Sequence, residues 1–298
     1  MWYTDIMNVQ IVENDLVIEG LRDFDLRHIF DCGQCFRWNK TSENTYLGVA
    51  KGKTLKITQN GSSITLFDTS KEDFDNIWYG YFDLGRDYGE IKKDLAKDEI
   101  MKTATKYGGG IRILNQDLWE TVVSFIISAS NNIPRIKGII ERLCALYGSE
   151  IEYMGEIYYS FPDYNTLAGL TREDLAPIRA GYRDKYILDA AQKFADGILS
   201  DTYIRSLPTA EAKKELLSVN GIGEKVANCI LLFGLQRTES FPVDVWIKRI
   251  MEYCYFNGET TIPAVSALAK EKFGDNGGFA QQYLFFYARE EKIDSGKG

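Results

Sequence analysis

Lys225 and Asp244 are the two side chains of this sequence best placed to do chemistry. Lys225 follows Asn220-Gly221-Ile222-Gly223-Glu224 and falls in the first turn of a helix. Its apolar residues Val226, Cys229, Ile230 and Phe233 recur at three-to-four spacing. The helix dipole disfavours an ammonium at that end, so the lysine is poised to act as a neutral amine nucleophile. Asp244 lies nineteen residues on, after Pro242 and before Val245-Trp246-Ile247, where an N-cap belongs. A carboxylate there can cap a helix and also stabilise positive charge developing on a substrate. Between two helices, Gly221, Ile222 and Gly223 form a tight hairpin. Its free N–H groups and close backbone approach suit a phosphate. The helix before the hairpin opens at Leu207-Pro208-Thr209, with Thr209 as its expected N-cap.

This composite resembles the helix-hairpin-helix DNA glycosylase superfamily, and lysine with aspartate at this spacing resembles its bifunctional members. Gly223 to Cys229 is most similar to the 8-oxoguanine branch, although Asn220 stands where the usual hairpin has proline. Four more segments carry the likeness. Gly33-Gln34-Cys35-Phe36-Arg37-Trp38 is similar to the family's G-Q-x-F-R-W. Ser128-Ala-Ser-Asn131-Asn132-Ile-Pro134-Arg135 is similar to a segment with three Asn before Ile, the first of which is Ser130 here. Gly181-Tyr182-Arg183 and the run from Gly277 to Tyr287 complete the set.

The resemblance implies a role for each position. Lys225 attacks the sugar and forms a Schiff base, and Asp244 steadies the charge. Gly33, through its carbonyl, meets the N7 donor that distinguishes 8-oxoguanine from guanine. Gln281 and Phe285, four residues apart on one helical face, read and stack on a flipped purine. Cys229 forms a thiolate–ammonium dipole with Lys225. Asn131, Asn132 and Arg135 fill the gap and address the orphan base, while Tyr182 is a wedge and Arg183 a second contact to that base. The residues by themselves leave plainer readings open. Gly33 is also a turn glycine, Cys229 a small core residue, Tyr182 a core aromatic, and Asp244 a simple cap. The 277–287 stretch also reads as a buried aromatic helix. His28, the sole histidine, has no part in chemistry that runs without a general base.

These residues need a scaffold. Residues 8 to 67 alternate as short strands, with Asn60-Gly61 a hairpin signal. Residues 71 to 106, 118 to 128, 136 to 147 and 186 to 199 read as helices, the second apolar enough for a core. Residues 149 to 163 carry tyrosines before another helix from Thr171, and the tail from Glu290 is charged. The expected fold is α+β: an N-terminal antiparallel β domain over 1–103, then a mostly helical domain over 104–298 containing the helix-hairpin-helix. At 298 residues and 45% hydrophobic content, the chain can bury cores for both. Five cysteines, an odd number, suit a reducing cytosol. With neither a second CxxC nor a four-cysteine cluster, the expectation is no zinc, no iron–sulfur cluster and no other cofactor; a cation on the hairpin carbonyls is left open. The start lacks a signal-peptide pattern and no apolar run reaches eighteen residues, so no membrane span is expected.

The net charge of −8 opposes broad electrostatic binding to DNA. A basic face must therefore be local, and Arg135, Lys137, Arg179, Arg183, Lys185, Lys225, Lys248 and Arg249 are its candidates. The implied partner is duplex DNA containing oxidised guanine, bound by a monomer in the cytoplasm, at a nucleoid or in a nucleus. Three competing functions remain: a monofunctional glycosylase for another base, a DNA-binding module without chemistry, and a cytosolic enzyme of small-molecule metabolism, which fits the acidic charge but has no nucleotide or metal motif behind it. Lys225 argues against the first. Lys225, Asp244, Gly33 and the Gln281/Phe285 pair together argue against the second.

Overall fold

A computed structural model of the chain describes residues 7–291, so most of the charged tail lies outside the described residues. Six strands, β1 (Asn8–Val12), β2 (Asp15–Glu19), β3 (Trp38–Ser42), β4 (Thr45–Ala50), β5 (Lys53–Asn60) and β6 (Ser63–Leu66), form one sheet in the order β1-β2-β6-β5-β4-β3. Every pairing is antiparallel, and the Asn60↔Ser63 pair closes the Asn-Gly turn between β5 (Lys53–Asn60) and β6. One face is apolar: Leu16, Ile18, Leu55, Ile57, Ile64 and Leu66 are buried with the short helix Leu26–Phe30. Trp38 begins β3 (Trp38–Ser42), stacks on Phe30 at 4.2 Å and donates from Nε1 to the Tyr81 hydroxyl at 2.8 Å. These aromatics bind the sheet to the segment after it.

A second core holds the helices. Its axis is Leu118–Ser128, in which Leu118, Trp119 and Thr121 through Ile127 are all buried. A helix apolar on every side must be enclosed, and the helix Glu224–Leu235 supplies much of the cover. Phe125 and Phe233 stack across the two at 5.4 Å. Tyr88, Leu95, Met101 and Ala104 also lie in this core. The fold is therefore the expected α+β arrangement. Among the described residues no helix is long and apolar enough to cross a membrane.

The helices Tyr164–Ala168, Asp201–Ser206 and Ile262–Phe273 were not foreseen, nor was one pair of strands. Residues 150–159 form a β-hairpin, β7 (Glu150–Tyr153) and β8 (Glu156–Tyr159), around Met154-Gly155. The Tyr153 hydroxyl donates to the Phe67 carbonyl at 2.8 Å and accepts from the Lys56 amide at 3.0 Å. The hairpin thus clasps the N-terminal sheet from within the helical part. Alternation in Glu-Ile-Glu-Tyr and Glu-Ile-Tyr-Tyr is the signal that would have found it.

Arg37 joins the same seam, donating to the Tyr159 carbonyl and lying 3.7 Å from Glu120. Burial pushes the Glu120 carboxyl up to about 7, against the opposing pull of Arg37. The folded value exceeds the ordinary 4.5, so folding takes up a proton here. The stability Glu120 contributes is full below pH 4.5 and is lost as pH rises through about 7. Glu120→Gln should therefore raise the thermal midpoint at pH 8, by about 1 kcal/mol of stability, and change it little at pH 5. Equal shifts in melts at the two pH values would show that the carboxylate is not strained.

Candidate active site

The hairpin is built where the first of its two helices, Thr209–Leu217, gives way to Glu224–Leu235. Thr209 is not the N-cap. That place falls to Pro208, and the Thr209 hydroxyl bonds Glu239 instead. Gly221 has φ +86°, and a Cβ on it would lie 2.5 Å from the Tyr186 ring. Both the turn and the packing exclude a side chain. Gly223 differs, since its φ is −97° and no atom lies within 4 Å of an added Cβ. Its open flank leads to the first N–H groups of the following helix, which have no carbonyl a turn earlier. Gly221→Ala should cost about 2 kcal/mol or more in a melt. Gly223→Ala should leave the melt unchanged yet weaken binding to duplex DNA about tenfold in a titration. Unchanged DNA affinity in Gly223→Ala would remove the hairpin from the interface.

Lys225 is half-buried in that first turn, with Nζ 5.4 Å above the Phe125 ring. Asp244 caps Val245–Met251, accepting from the Ile247 amide at 2.8 Å. Cys229 lies between their influences. Burial pushes its thiol up, Lys225 pulls it down by charge and hydrogen bonding, and Asp244 adds to the rise. The thiolate expected beside Lys225 is therefore disfavoured, because burial outweighs the lysine.

Gly33 and Phe285 come from opposite ends of the chain and meet: a Cβ on Gly33 would lie 3.7 Å from the Phe285 ring. Gly33 has φ +83°, which glycine adopts without strain. The loop is pinned by Gln34, whose buried amide donates to the Ile29 and Arg112 carbonyls at 2.8 Å and accepts from the Leu114 amide at 2.9 Å. Gln116 donates to the Gln34 carbonyl at 2.7 Å, and its own amide reaches Phe233. Gln34 and Gln116 thus tie the Gly33 loop to the helix that carries Lys225. Sequence reasoning used Gln34 only as part of a motif. Arg289 closes the other side, bonding the Asp31 carbonyl with its guanidinium 5.9 Å from the Phe285 ring. Gln281 is buried on the helix Gly277–Glu290, as is Gln282 beside it.

The third group surrounds the turn after Leu118–Ser128. Asn132 caps the next helix, Ile133–Tyr147, through the Arg135 amide at 3.0 Å. Asn131 is turned inward, donating to the Ile127 carbonyl at 3.0 Å. Tyr182 is half-exposed, and the Arg135 guanidinium comes within 3.9 Å of where a Gly181 Cβ would stand. Arg183 departs from expectation: it is 3% exposed rather than presented to solvent. Its guanidinium donates to the Ala129, Ser130 and Ala180 carbonyls. The first two sit at the end of an apolar helix, where carbonyls lack partners and the dipole favours a cation. Arg183 holds the turn that carries Asn131 and Asn132.

The basic face is smaller than expected. Arg135, Arg179, Lys185 and Arg249 are exposed. Lys137 instead donates to the Trp38 carbonyl and Lys248 pairs with Glu252. Trp246 is 53% exposed beside Asp244, an aromatic on the same surface. His28 accepts from the Gly110 amide at 3.2 Å, a structural contact.

Comparison with known proteins agrees with this geometry. Residues 17–122 match the 8-oxoguanine DNA glycosylase N-terminal domain. Residues 123–274 match the HhH-GPD superfamily base excision DNA repair protein family. A probable N-glycosylase/DNA lyase of Methanothermobacter thermautotrophicus is 30% identical over 231 residues, 71% of this chain and 74% of that protein. The N-glycosylase/DNA lyase OGG1 of Arabidopsis thaliana is 28% identical over 276 residues, 86% and 75% of the two chains. The crystal structure of Clostridium acetobutylicum 8-oxoguanine glycosylase/lyase with double-stranded DNA carrying cytosine opposite 8-oxoG superposes with a TM-score of 0.93. It is 41% identical and covers 98% of this chain and all of that one. With the two family matches running on from each other over residues 17–274 and the relatives covering sheet and helices alike, the chain belongs to the 8-oxoguanine DNA glycosylases of the HhH-GPD superfamily of base-excision DNA repair proteins.

Proposed function

We propose that this chain flips 8-oxoguanine out of duplex DNA, excises it, and cuts the strand at the resulting abasic site. The observation that carries this reading is the meeting of two halves. A lysine and a carboxylate share the Cys229 thiol as a neighbour, and the Gly33 loop is tied through Gln116 to the lysine's helix. Hairpin amides at Gly221 and Gly223 hold the backbone of the strand, while the Ile222 amide closes the hairpin itself by donating to the Val219 carbonyl at 3.1 Å. Gly33 accepts from the N7–H that only the oxidised base carries, Phe285 stacks on its face, and Gln281 reads its Watson–Crick edge. Cys229, kept as the thiol, packs beside Lys225. Tyr182 and Asn132 occupy the space the base leaves, Asn131 braces that turn from inside, and Arg135 donates to the orphan base.

As the base departs with the glycosidic electron pair, Asp244 stabilises the positive charge on the sugar. The Lys225 amine adds to C1′ and sheds a proton; the C1′–O4′ bond then breaks, O4′ takes up a proton as the C4′ hydroxyl, and the nitrogen lone pair closes the C1′=N Schiff base as the ring opens. Abstraction of a C2′ proton then expels the 3′ phosphate by β-elimination. The steps use side chains of this chain and no cofactor. Ser130, in place of the family's first Asn, relaxes the demand for cytosine opposite the lesion. The enzyme works where the chromosome lies, at a nucleoid or in a nucleus.

The test is a duplex with one 8-oxoguanine, incubated with the protein and borohydride. A covalent protein–DNA adduct is expected. Base release with no adduct would mean a monofunctional enzyme, and retardation in a gel with neither would mean a binding module.

A further inference from the structure

Gln34 is fully buried, and its side-chain amide is held by main chain at both ends. Nε2 donates to the Ile29 and Arg112 carbonyls at 2.8 Å, and Oε1 accepts from the Leu114 amide at 2.9 Å. A carbonyl only accepts and a backbone N–H only donates, so these partners admit one sense of the amide. The Gln34 carbonyl is held too, by Gln116 Nε2 at 2.7 Å. Arg112, Leu114 and Gln116 belong to a strap, residues 112–116, that lies outside any helix or strand. Its far side is fastened to the helix Glu224–Leu235. The Gln116 amide donates to the Phe233 carbonyl at 3.1 Å, and Gln236 at that helix's C-cap donates to the Leu114 carbonyl at 3.0 Å.

The Gly33 carbonyl and the Gln34 N–H share one peptide plane. Gly33, at φ +83°, offers that plane little resistance to turning. Gln34 supplies the resistance. With its side chain and carbonyl both held, its N–H can swing only through the φ range open to an L-residue. The direction of the Gly33 carbonyl decides what is accepted. 8-Oxoguanine brings N7–H to it, whereas guanine brings a lone pair. A carbonyl free to turn would lose part of its bond to the lesion and let guanine escape the repulsion, whereas a fixed one keeps both differences. We infer that Gln34, fastened by Gln116 and the 112–116 strap, is a specificity-determining positioning residue that makes Gly33 reject guanine; this rests on the reading of Gly33 as the contact to N7.

Affinities for duplexes of one sequence, carrying 8-oxoguanine, guanine or a tetrahydrofuran abasic analogue opposite cytosine, test this. Every protein also carries Lys225→Gln, which leaves the lesion uncut. The quantity read is the preference for the 8-oxoguanine duplex over the guanine duplex. Gln116→Met keeps the shape but not the donor, and should narrow that preference about tenfold. Gln34→Met removes the bonds to Ile29, Arg112 and Leu114 and should narrow it at least as far. The tetrahydrofuran duplex has no base to read, so its affinity should stay within about twofold of the Lys225→Gln parent. Equal losses on all the duplexes would make the strap a scaffold only and overturn the proposal. An unchanged preference in both glutamine variants overturns it as well. Gly33→Ala tests the N7 contact itself, because alanine is strained at φ +83° and turns the carbonyl. If Gly33→Ala keeps the preference, the N7 contact falls and the proposal with it. If Gly33→Ala loses the preference while both glutamine variants keep it, only the proposal falls. Gln116→Met carries the test alone if Gln34→Met does not fold.

Discussion

Lys225→Gln should eliminate the borohydride-trapped adduct and slow base excision by about four orders of magnitude, the scale on which enzymes lose activity when a covalent nucleophile is removed. The fold should survive. Lys225 is half-buried, its Nζ rests on the Phe125 face, and glutamine keeps the stem. Removing a cation from the first turn of a helix relieves a small conflict with the dipole, so the melt should hold or rise by a few tenths of a kcal/mol. Lesion-containing duplex should still bind, because the hairpin amides and the Gly33–Phe285 slot are untouched. Activity and adduct are measured on the same duplex. An adduct that persists in Lys225→Gln would assign the Schiff base to another amine.

Asp244→Asn should separate two duties of one side chain. Asp244 caps Val245–Met251 through the Ile247 amide, and asparagine caps as well as aspartate does. The thermal midpoint should therefore move little. The charge is gone, however, and with it the electrostatic stabilisation of the sugar cation. Excision should fall by about a hundred- to a thousandfold. Asp244→Ala should lose the same activity and in addition about 1 kcal/mol of stability. Single-turnover rates alongside melts distinguish the cases. If Asp244→Asn keeps the wild-type rate, the carboxylate is a cap and nothing more.

Much of this site was legible because its parts are local. A lysine after a Gly-Ile-Gly hairpin and an aspartate before Val-Trp-Ile declare their backbone positions without tertiary information, and the structure puts them at a helix's first turn and an N-cap. The strand alternation of residues 8 to 67 is local in the same sense. The meeting of Gly33 with Phe285 is not, and only resemblance suggested that the two share a site. Arg183 was misread for a related reason. A Gly-Tyr-Arg turn looks exposed, but the carbonyls of Ala129 and Ser130 that draw the arginine inward belong to the end of a different helix. Cys229 was read as a thiolate because its spacing from Lys225 is visible and its burial is not.

The hairpin's attachments bear on how this acidic protein grips an acidic polymer. Asn220 grasps both carboxylate oxygens of Asp189 at 2.9 Å, Lys193 donates to the Ser218 carbonyl at 2.7 Å, and Gly221 lies against Tyr186. All three partners sit on the helix Asp184–Ala195, and Tyr186 also meets the Tyr182 ring edge-on at 6.0 Å. The hairpin proposed to cradle phosphate and the aromatic proposed as the wedge are thus parts of one packed unit, built before DNA arrives. Their conformational entropy is lost when the chain folds, not when it binds. A few hairpin amides can then do at the interface what a flexible basic loop would need many more charges to achieve.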